Sequence, residues 1–106
     1  MTGPPYDIVS LTALTRGVRR CVQAAGAGRP QLIVRYGVQL AWLRPVDPRV
    51  LHDAEVNITT LMREVRATVL RASDGEVLLV TRRAGVKVGQ GVRPGVALLT
   101  PVRVQR

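Results

Sequence analysis

Arginines are the residues of this chain that could do chemistry. Among its 106 residues, 16 are lysine or arginine and 7 are aspartate or glutamate, so the formal net charge is +9 at pH 7. All but one of the basic residues are arginine. The planar guanidinium group binds phosphate oxygens and guanine edges through paired hydrogen bonds. The composition therefore predicts a polyanionic partner, first nucleic acid and second an acidic protein or membrane surface.

Catalytic and metal-binding patterns are missing from the sequence. His52 has no serine or cysteine partner in a recognisable motif, and no C-x-x-C pair provides metal ligands. Asp47, Asp53 and Glu55 could form a carboxylate cluster, but capping and solubilising a linker is their simpler role. The glycine-rich segments contain no phosphate-binding loop signature. We expect no enzyme activity, no metal and no cofactor.

The chain is expected to be cytoplasmic. Its single cysteine, Cys21, excludes an internal disulfide framework and suits a reducing compartment. No apolar run approaches the roughly 18 residues of a membrane span, and the first residues do not resemble a signal peptide. We expect no membrane association.

An internal repeat appears when the chain is shifted by 47 positions, so that Val9–Arg35 lies over Val56–Arg82. Composition alone would give about two or three identities by chance. The observed identities are eleven, namely Val9/Val56, Thr12/Thr59, Leu14/Leu61, Arg16/Arg63, Val18/Val65, Arg19/Arg66, Val22/Val69, Ala25/Ala72, Gly28/Gly75, Leu32/Leu79 and Arg35/Arg82.

Each copy is predicted to begin with an amphipathic helix. Ser10 and Asn57 are the expected N-caps, and glycines follow at the expected helix ends. Apolar residues recur at three- and four-residue spacing, at Leu11, Leu14, Val18, Val22 and Ala25 and at Ile58, Leu61, Val65, Val69 and Ala72. The opposite faces carry Arg16, Arg19 and Arg20 in one copy and Arg63, Arg66 and Arg71 in the other.

Two strands follow each helix. In the first copy the alternation predicts a hairpin of Gln31–Tyr36 and Val38–Arg44 with its turn at Gly37. In the second copy it predicts strands at Glu76–Arg82 and Val96–Thr100, separated by a turn near Ala84-Gly85 and a longer connection. The proline-containing linker at residues 44–55 separates the copies.

We therefore predict an α+β fold. A helix with one hairpin cannot bury its apolar surface alone. Two such repeats, residues 1–48 and residues 49–106 with an insertion at 86–95, would form a pseudo-dimer and together one compact domain. It would have a shared antiparallel sheet and helices packed on one face.

The segment LTALTRGVRRCVQAAGAGRPQLIVRYGVQLAWLRPVD, residues 11–47, resembles the N-terminal domain of the Phd/YefM antitoxins. Those proteins have a helix, a glycine, an apolar strand, Thr-Arg-x-Gly and a second apolar strand ending in proline. The segments VNITTLMREV, LLVTRRAG and GVALLTPV look like a second, more divergent copy. The resemblance implies a dimeric α+β fold that binds operator DNA and sequesters a toxin through a C-terminal tail. Here a second copy occupies the place of that tail, so the DNA-binding role carries over better.

The leading hypothesis is a small basic DNA-binding protein, an operator-binding regulator or degenerate antitoxin of a toxin–antitoxin system. One alternative is a protein-interaction module that binds an acidic partner such as a toxin, nuclease or phage component. Another is an assembly subunit, a homo-oligomer of pseudo-dimers, in which an edge strand such as Val96–Thr100 pairs with a neighbouring chain. The predicted duplex-DNA contacts are Arg16, Arg19, Arg20, Arg35, Arg63, Arg66, Arg82 and Arg83.

Overall fold

The computed structural model describes residues 5–82 and 95–102. Arg83, the turn predicted near Ala84-Gly85 and nearly all of the 86–95 insertion lie outside these residues. The first half of the chain contains β1 (Asp7–Ser10), α1 (Leu11–Arg16), α2 (Val18–Gly26), β2 (Gln31–Arg35) and β3 (Val38–Arg44). The second half contains β4 (Ala54–Asn57), α3 (Ile58–Arg63), α4 (Val65–Ser73), β5 (Leu78–Thr81) and β6 (Gly95–Pro101).

The six strands form one sheet in the order β1-β2-β3-β6-β5-β4. This confirms the α+β class, but the prediction of a purely antiparallel sheet was wrong. The residues before each first helix form short strands, β1 and β4, which pair parallel with β2 and β5. The helices supply the crossover that a parallel pair requires. The expected edge strand at Val96–Thr100 was also wrong, because β6 lies between β3 and β5.

Each single helix of the prediction is broken in two. The Ser10 hydroxyl accepts a hydrogen bond from the Ala13 N–H at 3.0 Å, and the Asn57 amide oxygen accepts one from Thr60 N–H at 2.8 Å, which confirms both N-caps. The chain then leaves the helical conformation at Gly17 (φ −141°, ψ 45°) and at Glu64 (φ −131°, ψ 49°). Because glutamate is a good helix former, the break at Glu64 reflects packing of the two helices rather than local preference.

The core lies between the helices and one face of the sheet. Nine of the ten residues of the two predicted stripes are buried, with Leu14 1% and Leu61 2% exposed, and Ile58 is partly buried. It packs against alternate residues of the inner strands, which include Ile33, Leu43, Val80 and Leu99. On the other face of the sheet, Leu32 and Leu98 are buried outside this cluster.

The end of α2 approaches β6 closely at Gly26. A Cβ atom placed on Gly26 would lie 2.5 Å from the carbonyl oxygen of Val96. Val96 is the extra residue of a β-bulge, because the register between β5 and β6 shifts after Val80. The contact is to backbone, so a side chain at Gly26 would have to displace either the helix end or the strand.

We expect Gly26→Ala to lower the free energy of unfolding by about 1–3 kcal/mol through this overlap. Urea denaturation followed by circular dichroism measures the change. Gly17→Ala is the matched control, because the nearest atom to its Cβ is the Ala13 oxygen at 3.7 Å and Glu64 shows that a side chain is compatible with similar dihedral angles. Equal destabilisation by both substitutions would contradict this account.

Candidate nucleic-acid interface

Seven of the eight predicted DNA-binding arginines lie in the described residues. Six of them have exposed side chains, and Arg35 is half-buried at the end of β2. The other six are distributed over the four helices and the residue after β5, at Arg16, Arg19, Arg20, Arg63, Arg66 and Arg82. None of the seven forms an ion pair within residues 5–82 and 95–102. Their charges are therefore available to an external anion.

The acidic residues that do form ion pairs with arginine use other arginines. Asp7 contacts Arg29 at 2.8 Å, and the pKa of Asp7 is lowered by hydrogen bonds from Arg29 and then Gln31. The hydrogen bonds of Arg49 lower the pKa of Asp47 across a 3.2 Å contact.

A third ion pair neutralises Arg71, which lies on the exposed face of α4. Its guanidinium lies 2.9 Å from Glu76, which follows α4, and this hydrogen bond lowers the pKa of Glu76. Arg71 is consequently neutralised by its own half, whereas Arg63 on α3 and Arg66 on α4 form no ion pair within the described residues. The acidic residues thus leave the positive charges of the seven described arginines of the predicted interface without an ion-pair partner.

The three lowered pKa values determine how stability depends on pH. A carboxyl whose pKa is lowered in the folded state stabilises it fully above the ordinary pKa near 4 and loses this effect as pH falls through the lowered value. We expect the urea midpoint to fall with acidification below about pH 4. Asp7→Asn should be destabilised at pH 7, and its difference from the wild type should shrink at pH 2.

Asp74→Asn is the control for this measurement, because Asp74 is exposed and forms no ion pair within the described part of the chain. It should leave the urea midpoint at pH 7 close to that of the wild type, because no ion pair is lost. An Asp7→Asn variant that remains equally destabilised at pH 2 and pH 7 would show that Asp7 stabilises β1 by something other than its charge.

Arg19 and Arg82 come together although they lie in different halves of the chain. They line one groove of about 930 Å³ at the junction of α2, the start of α3 and the adjoining ends of β5 and β6. Gln23 and Thr59 add hydrogen-bonding groups to its lining. The remaining lining is mainly apolar and includes Val22, Pro45, Val46, Ile58 and Val96. Two guanidinium groups that line one groove are suited to binding a phosphate chain.

Arg16 and Arg20 share a second, smaller depression. Its volume is about 420 Å³, and it is also lined by Ser10 and Thr12 at the start of α1. Arg63 and Arg66 are exposed on α3 and α4 but line neither of these two depressions. The structure therefore brings four of the predicted arginines together in two pairs, and it does not gather the seven described arginines in one cluster.

Arg35 and Arg82 lie at opposite ends of the sheet. Arg35 ends β2, and Arg82 directly follows β5. These strands end in opposite directions because β3 and β6 between them are antiparallel, with Leu43 opposite Leu99. From a rise of about 3.3 Å per residue and a strand spacing of about 4.8 Å, the two Cα atoms are roughly 30–35 Å apart.

Sequence reasoning missed Arg44. This exposed residue ends β3, and its guanidinium lies 5.1 Å from the centre of the Trp42 ring, a cation–π contact. The Tyr6 ring packs edge-on against the same tryptophan at 5.1 Å. The two-residue period of a strand puts Trp42 and Arg44 on one face, and this signal could have identified the pair.

His52 and Cys21, the residues considered for catalysis, lie in different elements of the described structure, the linker and α2. His52 is exposed and its Nε2 atom lies 3.7 Å from Glu55. Cys21 is half-buried in the helix layer, and desolvation raises the pKa of its thiol, which favours the unreactive protonated form. Within the described ranges, no three histidine, cysteine or acidic side chains are close enough to hold a metal ion. Also within these ranges, no helix has the length and apolar character needed to cross a membrane.

Comparison of the chain with protein-family models, with curated proteins and with solved structures gives no match.

Proposed function

We propose that this protein binds duplex DNA as a small operator-binding regulator, or a degenerate antitoxin, of Phd/YefM type. In this proposal the two halves are repeats that act as a pseudo-dimer within one chain. The identical element order of the halves and the sheet order β1-β2-β3-β6-β5-β4, which reads the same from either edge, support it. So does the central pairing of Leu43 with Leu99, the matching residues of the two halves.

The observation that carries the proposal is the set of seven predicted arginines without a carboxylate partner in the described residues. A polyanion with regularly spaced phosphates can neutralise several of them together and release its own counterions, which gives a large favourable free energy at low salt. An acidic small molecule would reach only one pair of arginines.

The spacing of the sheet ends supports a duplex as this polyanion. The estimated separation of Arg35 and Arg82 is roughly 30–35 Å, and one turn of B-DNA separates the centres of paired half-sites by about 34–36 Å. Two arginine-bearing ends would then meet the same side of the duplex one turn apart. Arginine contacts of this kind are mainly to phosphates, while Gln23 in the groove offers an amide suited to adenine.

We expect the protein to bind a fluorescein-labelled 24-bp duplex of mixed sequence with a Kd below about 10 µM in low salt, measured by anisotropy. The affinity should fall steeply as sodium chloride rises, because phosphate contacts release counterions. In the double variant Arg19→Gln/Arg82→Gln, the slope of log K against log salt should be smaller by about 2, since each lost contact contributes about 0.9.

Arg49→Gln is the matched control, because Arg49 is exposed but paired with Asp47 in the linker. It should retain the wild-type slope, and circular dichroism should show that all variants remain folded. Absence of salt-sensitive binding below about 10 µM by the wild-type protein would overturn the DNA proposal.

A second candidate, an acidic protein partner, is favoured by exposed apolar side chains. Ile8 is 62% exposed on the edge strand β1, and Leu51 is 88% exposed in the linker. An edge strand also presents unpaired backbone groups to which another chain can add. A stoichiometric protein complex that survives high salt would favour this candidate over DNA, because contacts with DNA phosphates weaken steeply in salt.

A further inference from the structure

The turn between β2 and β3 places a tyrosine where the backbone disfavours it. Tyr36 and Gly37 form a two-residue turn, and both have positive φ, 51° and 77°. Such type I′ turns select asparagine, aspartate or glycine at the first position, because a large side chain crowds the backbone there. Tyr36 is the single residue other than glycine with positive φ in the described residues.

Packing does not compensate for this strain. Tyr36 is 91% exposed, so its ring gains almost nothing from the hydrophobic core. The ring's one aromatic or cationic contact in the described residues is with Arg35, whose guanidinium lies 5.2 Å from the ring centre. Neither local preference nor burial accounts for an aromatic ring at this position.

The place of the ring in the fold indicates what it can bind. Tyr36 directly follows Arg35, one of the arginines without a carboxylate partner, and projects from one end of the sheet. A cation beside an exposed ring provides a phosphate contact and a stacking surface within one nucleotide's reach. Aromatic rings stack on nucleobases of any sequence, and this contact needs a base whose face is accessible.

We propose that Tyr36 stacks on an unstacked nucleobase, so that the β2–β3 turn recognises an opened or mismatched position in the bound DNA. This inference rests on the proposed DNA-binding function and adds a base contact to its phosphate contacts. The turn geometry holds the ring outward, and the guanidinium of Arg35 holds the adjoining phosphate.

The test compares two fluorescein-labelled 24-bp duplexes, one fully paired and one with a central two-nucleotide mismatch bubble. We expect the wild-type protein to bind the bubble duplex about tenfold more tightly, as one base–aromatic stack allows. Tyr36→Phe keeps the ring and should keep this preference. Tyr36→Asn should bind both duplexes with the affinity that the wild-type protein has for the paired one.

Two further measurements separate stacking from a structural role. The salt slope of Tyr36→Asn should equal that of the wild type, because no phosphate contact is lost. Its urea midpoint should be unchanged or higher, because asparagine suits the turn. Equal binding of both duplexes by the wild-type protein, or a bubble preference that persists in Tyr36→Asn, would overturn the stacking role and leave the DNA proposal standing. A wild-type protein that binds neither duplex would overturn both.

Discussion

The pairing of β3 with β6 is the contact on which the rest of the structure depends. Four residue pairs join these strands, and Leu43 and Leu99 face each other across the junction with 1% of each side chain exposed. Each half alone would have three strands and two short helices. Its apolar face would be open to water where β3 and β6 now meet. A sheet of that size with helices of six and nine residues has little capacity to bury a core. Joining the halves provides each helix pair with strands from both sides.

The positions of the acidic residues affect the surface charge as much as the excess of arginines does. Three acidic residues each form an ion pair with an arginine in or next to a loop or the linker, namely Asp7, Asp47 and Glu76. Each pair holds the adjoining end of a strand or helix. Apart from Arg71, the arginines on the helix surfaces and at the ends of β2 and β5 form no ion pair within the described residues. Exposed ion pairs contribute little to stability individually. The main effect of this arrangement is therefore to determine which parts of the surface keep a positive potential. Only ion pairs between residues that are close in sequence, such as Asp47 with Arg49, could be predicted from the sequence.

The helical stripes, both N-caps and the β2–β3 hairpin could be predicted because each depends on local spacing and capping chemistry. The short strands β1 and β4 could not, since four residues give too little alternation and their pairing is with strands more than twenty residues away. The helix breaks at Gly17 and Glu64 depend on how two helices fit one sheet, which periodicity does not record. At the candidate interface, the exposure of the helical arginines followed from the helical faces. The grouping of Arg19 with Arg82 depends on tertiary packing. The pairing of Arg71 with Glu76 is local, because the two residues are five positions apart at the end of α4.

A sheet assembled from two parts of one chain behaves differently on dilution from a sheet assembled by two chains. Formation of the β3–β6 junction is here a first-order process, so the folded fraction is independent of protein concentration. A ligand that contacts both ends of the sheet finds both in one molecule at any protein concentration. Occupancy then rises linearly with the amount of protein at low concentration, rather than with its square as for a dissociated dimer. For the proposed DNA binding, a small number of molecules would therefore suffice without first associating with one another.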